Sequence, residues 1–161
     1  MSESDAQSDL IELVDRGGVF YNLSGNTIEE VLADLISTVP IPKDLSSADL
    51  LQAILEREAL MPTAVGRGIA IPHPRSPMIS DPKEQFVSVC FLQKPIDWQA
   101  LDGKPVGTLI LILSASAKLH LRTLSRVSFL CQQPSFQHLL EQRASREELV
   151  AAIAAAERAW S

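Results

Sequence analysis

The sequence predicts an α/β domain, a mixed β-sheet covered by helices. Helical and extended patterns alternate along the chain. At least three runs, Ile69 to Ile71, Gln85 to Leu92 and Val106 to Leu113, are apolar enough for buried strands, and two capping boxes, Thr27 with Glu30 and Ser145 with Glu148, open amphipathic helices. The 161 residues suit a single domain with a real core. Hydrophobic residues make up 46% and charged residues 21%, which separates the chain from disordered sequences.

Residues 1 to 9 are polar and acidic and are expected to be frayed, with one domain spanning residues 10 to 157. The amphipathic piece Leu10 to Val14 fits either a strand or a helical turn, and the Gly17-Gly18 pair breaks it. Val19 to Leu23 has the branched and aromatic content of a short strand. After the first capping box, Ile28, Val31, Leu32, Leu35 and Ile36 share one helical face, and Pro40 and Pro42 form the linker that ends it. Ser46 or Ser47 caps the next helix, whose apolar face is Leu50, Leu51, Ile54 and Leu55 and which runs to about Glu58. Arg57 lies in its last turn, where a positive charge suits the negative helix end. Surface ion pairing is the ordinary role for an arginine there.

The stretch Gly66 to Pro74, GRGIAIPHP, is a strand running into a stiff corner. Pro72 and Pro74 fix their own φ and steer Ile71 and His73 toward extended backbone, so His73 cannot lie inside a helix. Such a corner presents an outward-facing imidazole in one orientation, at low entropic cost when it meets a partner. The alternative is a histidine in a proline-rich turn, satisfied by a backbone hydrogen bond. Arg75 to Lys83 reads as a mobile surface loop. Gln85 to Leu92 is a buried strand, Pro95 to Trp98 turns out of it, and Leu101 to Lys104 is a tight turn. Val106 to Leu113 is apolar on both faces and so central to the sheet. Ser114 to Lys118 is a small-residue loop, and a helix from near Lys118 carries His120 in its first turn, with Leu121, Leu124, Val127 and Ser128 or Cys131 facing inward. Pro134 interrupts, Phe136 to Leu140 forms a brief helix, and the last helix docks through Leu149, Val150 and Ile153.

Composition excludes several functions. Twenty acidic against 14 basic residues give a charge of −6, and no lysine or arginine stripe could track a nucleic acid backbone. The N-terminus lacks the pattern of a signal peptide and no apolar run approaches the ~18 residues of a membrane span, so a cytoplasmic protein without membrane insertion is expected. Cys90 and Cys131 read as small hydrophobes in a core. There is no GxSxG, GxxxxGK[ST], HExxH or GxGxxG. His73, His120 and His138 have no metal-ligand spacing, so a metal enzyme using His73 and His120 ranks last. No cofactor is expected, and His138 is given no role.

What remains is a histidine on a rigid corner, a second at the start of a helix after a central strand, and an arginine closing the helix before the corner. Loops beyond strand ends are where α/β sheets usually build sites. The three fit phosphoryl transfer to an imidazole. A neutral ring nitrogen of His73 attacks phosphorus, while His120 and Arg57 offset charge on the equatorial oxygens.

At these residues the chain resembles a known family. ERE at Glu56 to Glu58, Thr63, GIAIPH at Gly68 to His73, PID at Pro95 to Asp97, DGKPV at Asp102 to Val106 and HLRTLSRV at His120 to Val127 are similar to the EIIA component of the bacterial phosphotransferase system, in the fructose/mannitol superfamily and most closely its nitrogen-regulatory members. The resemblance spans roughly residues 10 to 155. It implies an α/β sandwich, with His73 as the phosphorylated residue, His120 assisting the phosphoryl group and Arg57 lining the same site. It also implies an HPr-type phosphocarrier as donor, with a regulatory protein or a separate permease subunit downstream. A module that only binds is the reading from another class. The chain departs from the family pattern in reading PTAVGRG before the corner strand and in placing Pro74 after His73.

Overall fold

The computed structural model describes residues 9–160; residues 1–8, the greater part of the segment expected to be frayed, lie outside the described residues. In chain order the elements are α1 (Leu10–Gly17), β1 (Val19–Leu23), α2 (Ile28–Thr38), α3 (Ser47–Leu60), β2 (Ala64–Gly66), β3 (Ile69–Ala70), a 3-10 turn (Pro82–Glu84), β4 (Phe86–Ile96), β5 (Val106–Leu113), α4 (Ala117–Cys131), α5 (Pro134–Glu141) and α6 (Arg146–Trp160). The five strands form one sheet in the order β1-β4-β5-β3-β2, so β5 is central. β1 runs parallel to β4 and β3 parallel to β5, whereas β4–β5 and β2–β3 are antiparallel. The sheet is mixed, as the sequence predicts.

Alternation along the two long strands sorts the core into two layers. Val87, Val89 and Phe91 of β4 and Ile110 and Ile112 of β5 pack with α1, α4, α5 and α6 through Leu13, Val127, Phe136 and Ile153. The intervening Cys90, Leu92, Leu109, Leu111 and Leu113 pack with α2 and α3 through Leu32, Leu35, Leu50 and Ile54. Helices thus cover both faces. Both cysteines are buried, and burial pushes each thiol up to about 12, so neither is a thiolate at neutral pH.

The capping chemistry follows the sequence with one variation. Thr27 Oγ1 accepts the Glu30 N–H at 3.1 Å, while the Glu30 carboxylate reaches back to the Asn26 N–H rather than that of Thr27. Ser46, not Ser47, caps α3 by accepting the Asp49 N–H. Ser145 and Glu148 exchange both bonds of a capping box. The ambiguous piece at Leu10 resolves as a helix that buries Leu10, Leu13, Val14 and Gly17, the i, i+3, i+4, i+7 face.

Other expectations are corrected. β4 does not turn out at Pro95. It runs on to Ile96, and proline is tolerated because the β4–β5 register shifts between Phe91 and Ile96, where the ladder needs no Pro95 N–H. The loop Arg75 to Lys83 is tied down by Met78 and Ile79, which pack against the α2–α3 core. Leu121 does not face inward: it is 65% exposed, and α4 buries Thr123, Val127, Leu130 and Cys131. At about 100° per residue, Leu121 lies on the opposite side of the helix from Thr123.

Parallel pairing of β3 and β5 decides where the site lies. Both strands end at the same edge of the sheet, and the Ile112 N–H donates to the Pro72 carbonyl at 3.2 Å, carrying the pairing past β3. The chain that reaches His73 and the chain that enters α4 therefore leave the sheet side by side. Among the described residues no helix is long and apolar enough to cross a membrane.

Candidate functional site

His73 follows β3 on the proline corner, and its position is fixed by its own backbone. Its Nδ1 lies 2.8 Å from the Ile71 carbonyl oxygen. A carbonyl only accepts, so Nδ1 carries the proton and Nε2 is left with the lone pair. The hydrogen bond of the ordinary reading therefore exists, and it also selects the tautomer a nucleophile needs. The ring is not presented outward as the sequence suggests: His73 is 7% exposed, since Ile71, Pro72 and Pro74 are buried with it. It borders a surface cavity of about 210 Å³ lined also by Arg57, Thr63, Val65, Leu124 and Ser128.

His120 enters from α4. Ser116 caps this helix by accepting the Leu119 N–H, and the His120 N–H closes the first turn on the Ser116 carbonyl at 2.9 Å. The half-buried His120 ring lies 4.6 Å from that of His73, centroid to centroid, tilted by 45°. Arg57 comes from the last turn of α3, where its guanidinium donates to the Met61 carbonyl at 2.8 Å while bordering the cavity. Of the three residues singled out in the sequence, His73 and Arg57 thus border one depression at the carboxyl end of β3 and β5, and His120 stands against the His73 ring beside it. His138 is exposed on α5 and is no part of it.

Glu58 is the residue that sequence reasoning passed over. It is buried, and its carboxylate accepts the Thr63 N–H at 2.6 Å and the Thr63 hydroxyl at 2.7 Å. Thr63 in turn accepts the Ile71 N–H on its carbonyl at 3.1 Å. A chain of hydrogen bonds thus runs from the end of α3 to the segment that orients His73. The signal was available: Glu58 falls four residues after Ile54 and eight after Leu50, in phase with the buried stripe of α3.

Burial and charge set the protonation of both rings. Burial lowers the His73 pKa, and the Arg57 charge adds to this; the Ile71 hydrogen bond and Glu58 oppose it without reversing the direction. His120 is lowered to about 4 by burial, then by His73 and Arg57. Both imidazoles are neutral at neutral pH. Among the described residues no group of three His, Cys, Asp or Glu side chains is placed to hold a metal ion.

The chain has relatives among known proteins. The profile of the family described as phosphoenolpyruvate-dependent sugar phosphotransferase system, EIIA 2, matches residues 12–156. A nitrogen regulatory protein of Bradyrhizobium diazoefficiens is 29% identical over 140 residues, covering 86% of this chain and 88% of the relative. One from Pseudomonas aeruginosa is 28% identical over 144 residues, covering 87% and 91%. The crystal structure of the nitrogen regulatory protein IIA-Ntr from Neisseria meningitidis aligns with a TM-score of 0.73 at 24% identity, over 93% of this chain and 99% of that one, which establishes likeness of fold.

Proposed function

The chain belongs to the EIIA 2 family of the phosphoenolpyruvate-dependent sugar phosphotransferase system, and on that premise we propose that His73 accepts a phosphoryl group on Nε2 from an HPr-type histidine phosphocarrier. In this reading residues 10 to 157 act as one phosphocarrier domain in the cytoplasm, and the phosphorylated state serves mainly in regulation. Similarity to nitrogen regulatory proteins along most of their length supports the regulatory branch.

The observation that carries the reading is the Nδ1 to Ile71 carbonyl hydrogen bond, which leaves Nε2 as the nucleophile. Nε2 attacks phosphorus as the phosphorus–nitrogen bond of the donor breaks, and the donor ring, protonated on its other nitrogen, leaves as neutral imidazole. The proton stays on Nδ1, donated to the Ile71 carbonyl, so no proton has to move. Arg57 and His120 stabilise the three equatorial oxygens. The arriving dianion reverses the electrostatics at His120, favouring a protonated ring where Arg57 and burial had opposed one.

Incubation with an HPr-type carrier, its phosphorylating enzyme and phosphoenolpyruvate tests this through an acid-labile gain of about 80 Da, the mass of one phosphoryl group. The His120→Ala variant is expected to accept the group about a hundredfold more slowly with the end point unchanged, because it loses stabilisation and keeps the attacking nitrogen. An unaltered rate removes His120 from the mechanism. Passage of the group onward to a permease subunit would instead place the chain in sugar transport.

The rate should also report the environment of His73. Burial disfavours the imidazolium, so the neutral, nucleophilic ring persists to lower pH than an exposed histidine allows. The acid limb of the single-turnover rate, assigned to this protein by holding the donor constant, is expected below the ordinary value of about 6.5. A limb at or above that value contradicts the burial argument.

A further inference from the structure

At the opposite end of β3 and β5 from His73, a second cavity of about 320 Å³ opens where these strands begin. Gly68, just before β3, and Gly107 and Thr108, at the start of β5, form its base, with Pro105 and Leu140 supplying apolar wall. Arg67, Lys104 and Arg143 border it, bringing three of the chain's 14 cationic side chains to one hollow of a protein whose net charge is −6. One carboxylate, Glu141, lines the same cavity. A second, Asp102, stands beside it, but its oxygens already accept the backbone N–H groups of Arg67 and Lys104 at 2.8 and 3.1 Å.

The hollow is built rather than incidental. Arg67 and Arg143 both hold left-handed backbone, at φ 61° and 52°. Asp102 locks the first through its N–H. The Arg143 guanidinium is anchored by donating to the Leu92 carbonyl. Thr108, 5% exposed, closes the hollow where β5 begins.

We infer that this cavity binds a small phosphate monoester bearing hydroxyl groups. Three cations around one hollow match the charge of a dianion, and a guanidinium fork is suited to phosphate. Glu141 supplies an acceptor for a hydroxyl on the carbon skeleton, which Pro105 and Leu140 flank. The volume is at the lower end of ligand pockets, so the occupant is a metabolite rather than a nucleotide. The site is separate from the phosphoryl acceptor, at the other end of the strand that leads to it.

Titration of the full chain with glycerol 3-phosphate, followed by ¹H–¹⁵N correlation spectra, tests the inference. Saturable shifts are expected at the amides of Gly68, Lys104, Gly107 and Arg143, and they should persist in His73→Asn. Arg67→Asn, which suits left-handed backbone, and Lys104→Gln should each weaken binding about tenfold, the loss of one charge-assisted contact. Absence of saturation, equal shifts with chloride at matched ionic strength, affinity unchanged in both variants, or shifts centred on His73 and His120 would each overturn it.

Discussion

His73→Ala is expected to abolish the mass gain on incubation with the phosphorylated donor, the largest functional effect of any substitution in this chain. The other imidazole beside the depression, His120, has its ring 4.6 Å from that of His73, and in this reading it stabilises the group rather than accepting it. Because His73 is buried, the alanine variant leaves a void, and a loss of folding could mimic a loss of chemistry. His73→Asn separates the two. Its side-chain amide occupies the place of Nδ1 and can still donate to the Ile71 carbonyl, yet it carries no ring nitrogen to attack phosphorus. A folded asparagine variant that still gains an acid-labile phosphoryl group would remove His73 from its role.

The largest effect on stability is expected at a residue remote from the chemistry. Gly17 ends α1 where the helix lies directly on β4, and a Cβ there would stand 2.0 Å from the Val87 carbonyl oxygen and 2.9 Å from the Ser88 nitrogen. Both are backbone atoms of a central strand and cannot rotate away. The same contact is stitched by the Ser88 hydroxyl, which donates to the Gly17 carbonyl at 2.8 Å, and by the Val89 N–H, which donates to the Gly18 carbonyl at 3.1 Å. Gly17→Ala must lift α1 off the sheet, at a cost of about 3 kcal/mol, the upper end of overpacking. For a domain of this size that is a drop in Tm of about 6–12 °C. A change under about 2 °C by calorimetry would mean that α1 is not seated as described.

Much of this architecture was legible because its signals are local. Capping boxes and apolar periods mark α2, α3 and α6, and the unbroken run Val106 to Leu113 announces a strand buried on both faces. β2 was not legible: Ala64, Val65 and Gly66 are too few to carry a period, and they become a strand only through antiparallel pairing with β3. The five residues Leu10 to Val14 could not be distinguished as helix or strand for the same reason, until packing against β4 settled it. Leu121 was misjudged because an apolar residue near a helix start can face either way, and here solvent won.

The site divides along the same line. Two prolines around His73 dictate a rigid corner, and this needs no tertiary knowledge. The burial of that corner depends on what packs over it, which the local sequence does not carry. Bringing His73 to His120 requires β3 and β5 to run parallel and to end together, a pairing between segments far apart in the chain. Glu58 was overlooked because a carboxylate in a helix's last turn is usually solvated; its phase with Leu50 and Ile54 outweighs that habit.

The most direct measurement is the position of the phosphoryl group on the imidazole. With ¹⁵N-labelled histidine, NMR of the phosphorylated protein distinguishes the two ring nitrogens of each histidine and locates the phosphorus. The account predicts phosphorus on Nε2 of His73, with the proton retained on Nδ1 against the Ile71 carbonyl. Phosphorus on Nδ1 of His73, or on His120, would contradict it.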